Sequence, residues 1–263
     1  AQGRMRGEVI KWRLKGHAHT DFWDWMSSWS RMAETPADLG HDASEYILPA
    51  MNIIRHRVAG TSQPIKDGLF SLGGNSATEM HGVKRETAIA RAECIGGLVQ
   101  NKEQWIVWCD TDYEADALAD VIPDAIEVRG SMKPEQKEDG ILSFVNSEAR
   151  VLITKPSICG YGLNLQHVHN MAFVGRSFSY ESWYQAVRRC WRFGQTRPVN
   201  VHLAVAEGED QIGRIIDRKS ADHKTMKRAM SEAMTRAAGR KSATKVKYEP
   251  KHTGRLPSWL YAA

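Results

Sequence analysis

A chain of 263 residues with 42% apolar, 25% charged and 8% aromatic side chains can fill the core of one large α/β domain with appendages, which excludes a wholly disordered protein. The net charge is +5, from 36 basic against 31 acidic residues. No apolar run approaches the roughly 18 residues of a membrane span, and no basic-then-apolar leader opens the chain. The expectation is a protein without a membrane partner, in the cytoplasm. Cys94, Cys109, Cys159 and Cys190 form no C-x-x-C pair, so neither a zinc knuckle nor a disulfide framework is indicated. The start at Ala-Gln-Gly, without Met, raises the expectation that sequence is missing upstream.

Residues 1–83 read as an irregular, aromatic-rich segment or insertion packed on a core. Phe22, Trp25 and Trp29 recur at helical spacing, which predicts a short helix over Asp21 to Met32 with a sticky face. Packing against the following domain is the favoured use of that face, ahead of a base-stacking platform. Turn residues follow, and Glu45 to Val58 reads as extended. From Lys84 a helical stretch runs to Gln104, and Trp105 to Cys109 is a short continuous apolar run of the kind that forms a strand buried on both faces. Helix and strand then alternate. Helices are predicted over Tyr113 to Val121, Pro134 to Val145, Ser179 to Phe193 and Asp210 to Met234, and strands over Ala125 to Arg129, Arg150 to Thr154, Asn170 to Val174 and Val199 to Ala206. This order predicts an α/β fold, a mostly parallel sheet with helices on both faces, because parallel strands need crossovers. Such sheets bind ligands at the carboxyl edge of their strands.

Thirteen basic residues stand against four acidic ones between Arg214 and Ala263, so the positive excess belongs to a basic C-terminal helix and tail. A basic arm can neutralise phosphates and release counterions, or it can be a solvated face. The organisation read from these shifts is an aromatic-rich segment to residue 83, an α/β domain over 84–235 and a basic tail over 236–263.

Two segments carry chemistry. In Ser179 to Gln195, helical geometry places Gln185, Arg189 and Arg192 on one side and Tyr180, Tyr184, Val187 and Trp191 on the other. Guanidinium forks on a rigid element suit bidentate contact with phosphate oxygens, and a solvent-exposed basic face would look the same. The run Ile153 to Gln166 follows a predicted buried strand and contains Gly160, Gly162 and Asn164. Glycines there permit positive φ and close backbone approach to a phosphate, although a structural turn uses the same residues.

Together, Gln185-Ala-Val-Arg-Arg-Cys-Trp-Arg-Phe-Gly-Gln195 and Gly160-Tyr-Gly-Leu-Asn-Leu165 resemble motifs VI and V in the second RecA-like domain of superfamily-two helicases. The likeness is to the Swi/Snf-type branch and to helicases of bacteriophages. Trp105 to Asp110 is similar to motif IV, and Val128-Arg-Gly-Ser131 to the turn after it. The resemblance covers roughly Lys84 to Met234. It implies that Arg189 and Arg192 are arginine fingers for the γ-phosphate and that Gln185, Gly160, Gly162 and Asn164 border the ATP cleft. It also implies that Arg129, Ser131, Lys155 and Ser157 lie along the nucleic-acid backbone. The chain departs from the pattern where Arg188 replaces the usual glycine and where Lys-Pro-Ser-Ile-Cys precedes Gly160.

No G-x-x-x-x-G-K-[ST] occurs in the sequence, so ATP and Mg2+ would be bound mainly by an N-terminal RecA-like domain absent from this chain. Asp110 and Asp112, after the apolar run, are expected to cap the next helix rather than to hold magnesium. His17-x-His19 and His167-x-His169 have no further ligand at zinc spacing, and no metal site is expected. The reading is the C-terminal half of an ATP-dependent DNA helicase or translocase, inactive alone. Its alternative is a non-catalytic nucleic-acid clamp acting through the basic tail. A doubly wound metabolic enzyme lacks its glycine-rich first turn.

Overall fold

The computed structural model describes residues 16–33, 35–59, 77–206 and 210–239. In chain order the elements are α1 (His19–Trp29), β1 (Met51–Val58), α2 (Ala77–Glu86), α3 (Ala88–Leu98), β2 (Trp105–Trp108), α4 (Asp112–Val121), β3 (Ala125–Val128), α5 (Pro134–Val145), β4 (Val151–Thr154), α6 (Pro156–Cys159), β5 (Asn170–Phe173), α7 (Tyr180–Val187), β6 (Val199–Ala206) and α8 (Asp210–Gly239). Short 3-10 turns at Pro36–Leu39 and Ser44–Tyr46 lie between α1 and β1. The basic tail beyond Gly239 and the glycines at 73 and 74 lie outside the described residues.

The chain divides into a larger compact unit, residues 35–224, and a smaller one, residues 1–34 with 225–263. In the larger unit six strands form one sheet in the order β1-β6-β5-β2-β4-β3, with every neighbouring pair parallel. All four residues of β2, of β4 and of β5 are buried, as central parallel strands covered on both faces require. Their side chains alternate between two cores. Ile106, Trp108, Leu152, Met171, Phe173, Val201 and Leu203 face a cluster that includes Phe144 of α5 and Val187 of α7. Trp105, Val107, Val151, Ile153 and Ala172 face the other, with Ala92 and Ile95 of α3 and Leu118 of α4. β1 pairs along its whole length with β6, Met51 opposite Val199 through Val58 opposite Ala206. The expected boundary at residue 83 therefore falls inside the larger unit, with an edge strand of the sheet on its N-terminal side.

Three elements differ from the sequence expectation. The helix expected from Lys84 to Gln104 is two, α2 and α3, broken at Thr87. There the Arg91 side chain donates Nη2 to the Lys84 carbonyl at 2.5 Å, an oxygen the Ala88 amide would use in a continuous helix. The helix expected from Ser179 to Phe193 stops at Val187. Past it, Arg189 N donates to Ala186 O at 3.2 Å and Cys190 N to Val187 O at 3.2 Å, a tightening to i→i−3 bonds, and the Arg189 carbonyl goes to Leu165 N at 3.0 Å. Neither Asp110 nor Asp112 caps α4. Its N-cap is Thr111, and the Glu114 carboxylate reaches back to the amides of Asp110 at 2.8 Å and Thr111 at 3.1 Å, satisfying donors the helix start leaves open.

In the smaller unit, Asp24 of α1 accepts from Arg236 of α8, Nη2 at 2.7 Å and Nε at 3.0 Å. Trp25 and Trp29 pack edge to face with centroids 5.3 Å apart and are 58% and 61% exposed. The expected sticky face is thus largely open to solvent.

Candidate functional site

The predicted site residues separate into two groups. Strand ends at the carboxyl edge carry the first group. Arg129 follows β3, Ser131 is exposed in the turn beyond it, and Lys155 and Ser157 follow β4. Lys155 and Ser157 line a cleft with Asp110 after β2 and with Arg176, Ser177 and Ser182 after β5. The last three were missed by sequence reasoning, although the run Ser177-Phe-Ser-Tyr-Glu-Ser182 is a legible hydroxyl-rich signal between strand and helix.

Lys155, Arg129 and Lys84 at this edge already have carboxylate partners. Lys155 Nζ lies 2.8 Å from Asp112 Oδ1. Burial opposes the Lys155 charge, and the Asp112 hydrogen bond and charge outweigh it, so the ammonium is held above its usual range. The same bond, with the Lys155 charge, holds the Asp112 carboxyl below its usual range. Arg129 pairs with Glu127 and with Asp116, and those hydrogen bonds raise its pKa further. Lys84 Nζ meets Asp110 Oδ2 at 2.5 Å.

Beneath these loops lies an ion pair with both side chains at 0% exposure, Arg91 Nη1 to Glu114 Oε1 at 2.9 Å. Arg91 also donates to the Val174 carbonyl and, through Nε, to Thr87 Oγ1 at 3.2 Å. The pair therefore ties α3, the start of α4 and the end of β5 into one support. A buried pair survives when further hydrogen bonds satisfy its remaining atoms, and here the bonds go to the loops that form the edge. Gly175 belongs to the same packing, since a Cβ there would lie 2.1 Å from Glu114 Oε1. Cys109 beside it is buried, which pushes its thiol up to about 12 and leaves it an inert core group.

The second group lies toward the opposite edge. Trp191 Nε1 donates to Pro49 O at 2.8 Å, just before β1, and Gln195 Nε2 donates to Val168 O at 3.0 Å, just before β5. Because all strands are parallel, these contacts set the Arg189–Gln195 turn beside their amino ends. The edge expected to bind ligands is the carboxyl one, and this turn lies at the other. α7 runs back along the sheet and delivers its last residues to the other end.

Around the turn the structure brings together Gln185, Arg189, Arg192 and Asn164. Arg189 donates Nε to Gln185 O at 3.1 Å, Nη2 to Gln185 Oε1 at 3.2 Å and Nη1 to Leu163 O at 3.3 Å. Arg192 Nη1 donates to the same Leu163 O at 3.3 Å and to Asn164 Oδ1. The spacing expected of a helix face thus survives the early end of α7, because side chains replace the missing backbone bonds. All acceptors are neutral, and among the described residues no carboxylate reaches either guanidinium. Burial, then the charge of Arg192, presses the Arg189 pKa below its usual value, though a guanidinium remains protonated in proteins. Two guanidiniums held on one carbonyl have the donor geometry that suits an anion with several oxygens.

Gly162 takes φ +77°, a left-handed conformation suited to glycine, and lies exposed two residues before Asn164. Gly160 does not use positive φ. Its φ is −72°, and glycine is needed because a Cβ would sit 2.1 Å from the Pro156 carbonyl oxygen. It shapes the turn of α6, while the arginine side chains donate to Gln185, Leu163 and Asn164. Arg188, at the position where the resembling motif has glycine, lays its guanidinium over the Trp191 ring at 5.4 Å. Among the histidines, His169 Nε2 lies 3.4 Å from Glu103 Oε1, and no group of three or more His, Cys, Asp or Glu able to hold a metal occurs among the described residues. No helix among them is long and apolar enough to cross a membrane.

Residues 88–194, which contain both groups, match the helicase conserved C-terminal domain. The chain is 30% identical over 107 residues to the chromodomain-helicase-DNA-binding protein 1-like of Danio rerio, covering 38% of this chain and 10% of that protein. It is 26% identical over 143 residues to the TATA-binding protein-associated factor mot1 of Schizosaccharomyces pombe, covering 51% of this chain and 7% of the other. Among solved structures, the C-terminal part of the Fun30 ATPase domain aligns with TM-score 0.44 at 19% identity over 48% of this chain and 45% of that one. The matched stretch is a C-terminal helicase domain homologous to superfamily-two helicases and translocases. The chain spans a tenth or less of the length of these two curated relatives.

Proposed function

We propose that this chain is the C-terminal RecA-like half of an ATP-dependent DNA helicase or translocase of the Swi/Snf type, and that it completes an ATPase site whose P-loop half belongs to a longer protein. The observation that carries the reading is the convergence of Arg189 and Arg192 on the Leu163 carbonyl with no neutralising carboxylate among the described residues. In this reading both guanidiniums meet the terminal phosphate of ATP and stabilise the charge that spreads over its oxygens during transfer. Gln185 and Asn164 hold the forks at a fixed angle, so little reorganisation is needed when phosphate arrives. The P-loop half would hold magnesium, which would neutralise charge on the phosphates.

At the other edge, Lys155, Ser157, Arg129 and Ser131 grip the nucleic-acid backbone. Lys155 and Arg129 exchange their carboxylate partners for phosphate as they do so. Closure of the two halves around ATP, and opening after hydrolysis, changes the spacing between this grip and one on the partner half. The Swi/Snf assignment draws on the motif pattern of residues 160–165 and 185–195.

The test joins this chain to its genomic upstream sequence as one protein and measures DNA-stimulated ATPase. Arg189→Ala or Arg192→Ala should lower the turnover rate by about 10³-fold or more, the range seen when an arginine finger is removed, while this chain alone hydrolyses nothing. Normal turnover in both variants overturns the assignment. If the longer protein binds DNA without hydrolysing ATP, a non-catalytic clamp replaces the motor reading.

A further inference from the structure

Beside the arginine turn stands a pair of rings that no catalytic or grip role uses. Tyr46 and Phe193 stack with centroids 4.7 Å apart and an interplanar angle of 23°, and they are 41% and 54% exposed. Burial of aromatic surface is favourable, so two large rings stacked in solvent are an unspent contact surface. Their positions are fixed from both sides. Trp191 Nε1 holds the Pro49 carbonyl at 2.8 Å, and Val199 N holds the Ala50 carbonyl at 2.9 Å, so the segment carrying Tyr46 is tied to the turn carrying Phe193. Tyr46 lies outside the matched residues 88–194 and Phe193 inside them.

Phe193 directly follows Arg192, whose guanidinium has only neutral acceptors among the described residues. An exposed aromatic face next to an unneutralised pair of cations fits a ligand that is flat and apolar at one end and polyanionic at the other. A nucleoside triphosphate has that form. We propose that the Tyr46–Phe193 stack is a base platform for the nucleotide whose terminal phosphate meets Arg189 and Arg192. The inference rests on the phosphate reading of those arginines and adds the contact to the base. Stacking uses the π-face that every base has, so the platform ranks bases by ring area, purines above pyrimidines, and discriminates adenine from guanine weakly.

The experiment joins this chain to its genomic upstream sequence as one protein and titrates it with non-hydrolysable analogues of ATP and CTP and with inorganic tripolyphosphate, by calorimetry at one magnesium and salt concentration. The ATP analogue should bind about tenfold or more tightly than tripolyphosphate, in line with the stacking energy of one base, with the CTP analogue between them. Phe193→Ala should abolish the advantage of ATP and leave tripolyphosphate affinity unchanged. Tyr46→Ala should reduce the advantage in part, because Tyr46 backs the ring. Equal binding of the ATP analogue and tripolyphosphate to the unaltered protein overturns the platform, as does an ATP advantage that survives Phe193→Ala. A loss of tripolyphosphate affinity in that variant also overturns it, since Phe193 would then be supporting Arg192. The double variant Arg189→Ala with Arg192→Ala separates the two readings. If it binds tripolyphosphate as tightly as the unaltered protein, the phosphate reading itself fails and the platform with it.

Discussion

The carboxyl edge and the arginine turn are both rich in cations, and they treat them in opposite ways. At the carboxyl edge Lys84, Arg91, Arg129 and Lys155 each have a carboxylate partner. At the turn Arg189 and Arg192 have only carbonyl and amide oxygens. A paired cation can take a phosphate only by giving up a partner, which makes binding exchangeable and dependent on salt. A cation held by neutral dipoles keeps its full charge for an incoming anion. Under the function proposed above, the difference suits a grip that must release and a catalytic contact that must be ready.

The largest effect that would sharpen this contrast is at the support beneath the carboxyl edge. Arg91→Met leaves Glu114 buried without its counter-charge and should cost about 3–5 kcal/mol of unfolding free energy, measured by denaturant titration. A loss under about 1 kcal/mol would break the claim that this pair anchors the edge. Next, Gly175→Ala forces a methyl group against the Glu114 carboxylate and should cost about 1–3 kcal/mol as overpacking. The corresponding exchange at Gly97, where a Cβ would meet nothing within 4 Å, is the control.

A smaller effect tests the exchange of partners directly. Lys155→Ala should weaken DNA binding and reduce the slope of log affinity against log salt by about 1. Asp112→Asn should strengthen binding, because Lys155 no longer has to leave a carboxylate. Weaker binding in Asp112→Asn would mean that the pair itself, rather than the freed lysine, meets the DNA. The smallest effect is on pH. His202, whose Nδ1 lies 2.9 Å from His56 Nε2, is held below its ordinary value of 6.5 by burial and then by the His56 charge, and burial lowers His167 and His169 as well. Their neutral forms favour the fold. Above about pH 6.5 they are neutral whether folded or unfolded, and as pH falls through 6.5 the unfolded chain takes up protons first, so the thermal midpoint should drop. His202→Asn should flatten that drop, and an unchanged pH profile in the variant would remove His202 as a cause.

Much of the sheet was legible because parallel strands buried on both faces announce themselves as apolar runs. Trp105-Ile-Val-Trp and Val151-Leu-Ile-Thr are examples, and both fall in the strands expected. The helix ends were less legible, since long-range acceptors decide them. Arg91 takes the carbonyl that would have continued α2, and Leu165 takes one that would have extended α7. Residue spacing identified Gln185, Arg189 and Arg192 as a set, and the resemblance of Gly160 to Leu165 to motif V added Asn164. The partner they share, the Leu163 carbonyl, has no side-chain signature and could not be read from spacing. Ser177, before α7, and Ser182, in its first turn, form a hydroxyl-rich run in sequence, but they line a cleft only because β2, β4 and β5 end side by side.

By itself the sequence determined the alternation of helix and strand, the parallel sheet it demands, and the residue types able to meet phosphate, because local periodicity and side-chain chemistry are properties of short stretches. Only the tertiary structure decided which of those cations are already neutralised and which remain charged. Asp112 reaches Lys155 across two strand ends, Glu114 reaches Arg91 across two helices, and no carboxylate among the described residues reaches Arg189 or Arg192. Electrostatic pairing depends on distance in space, and distance along the chain does not predict it.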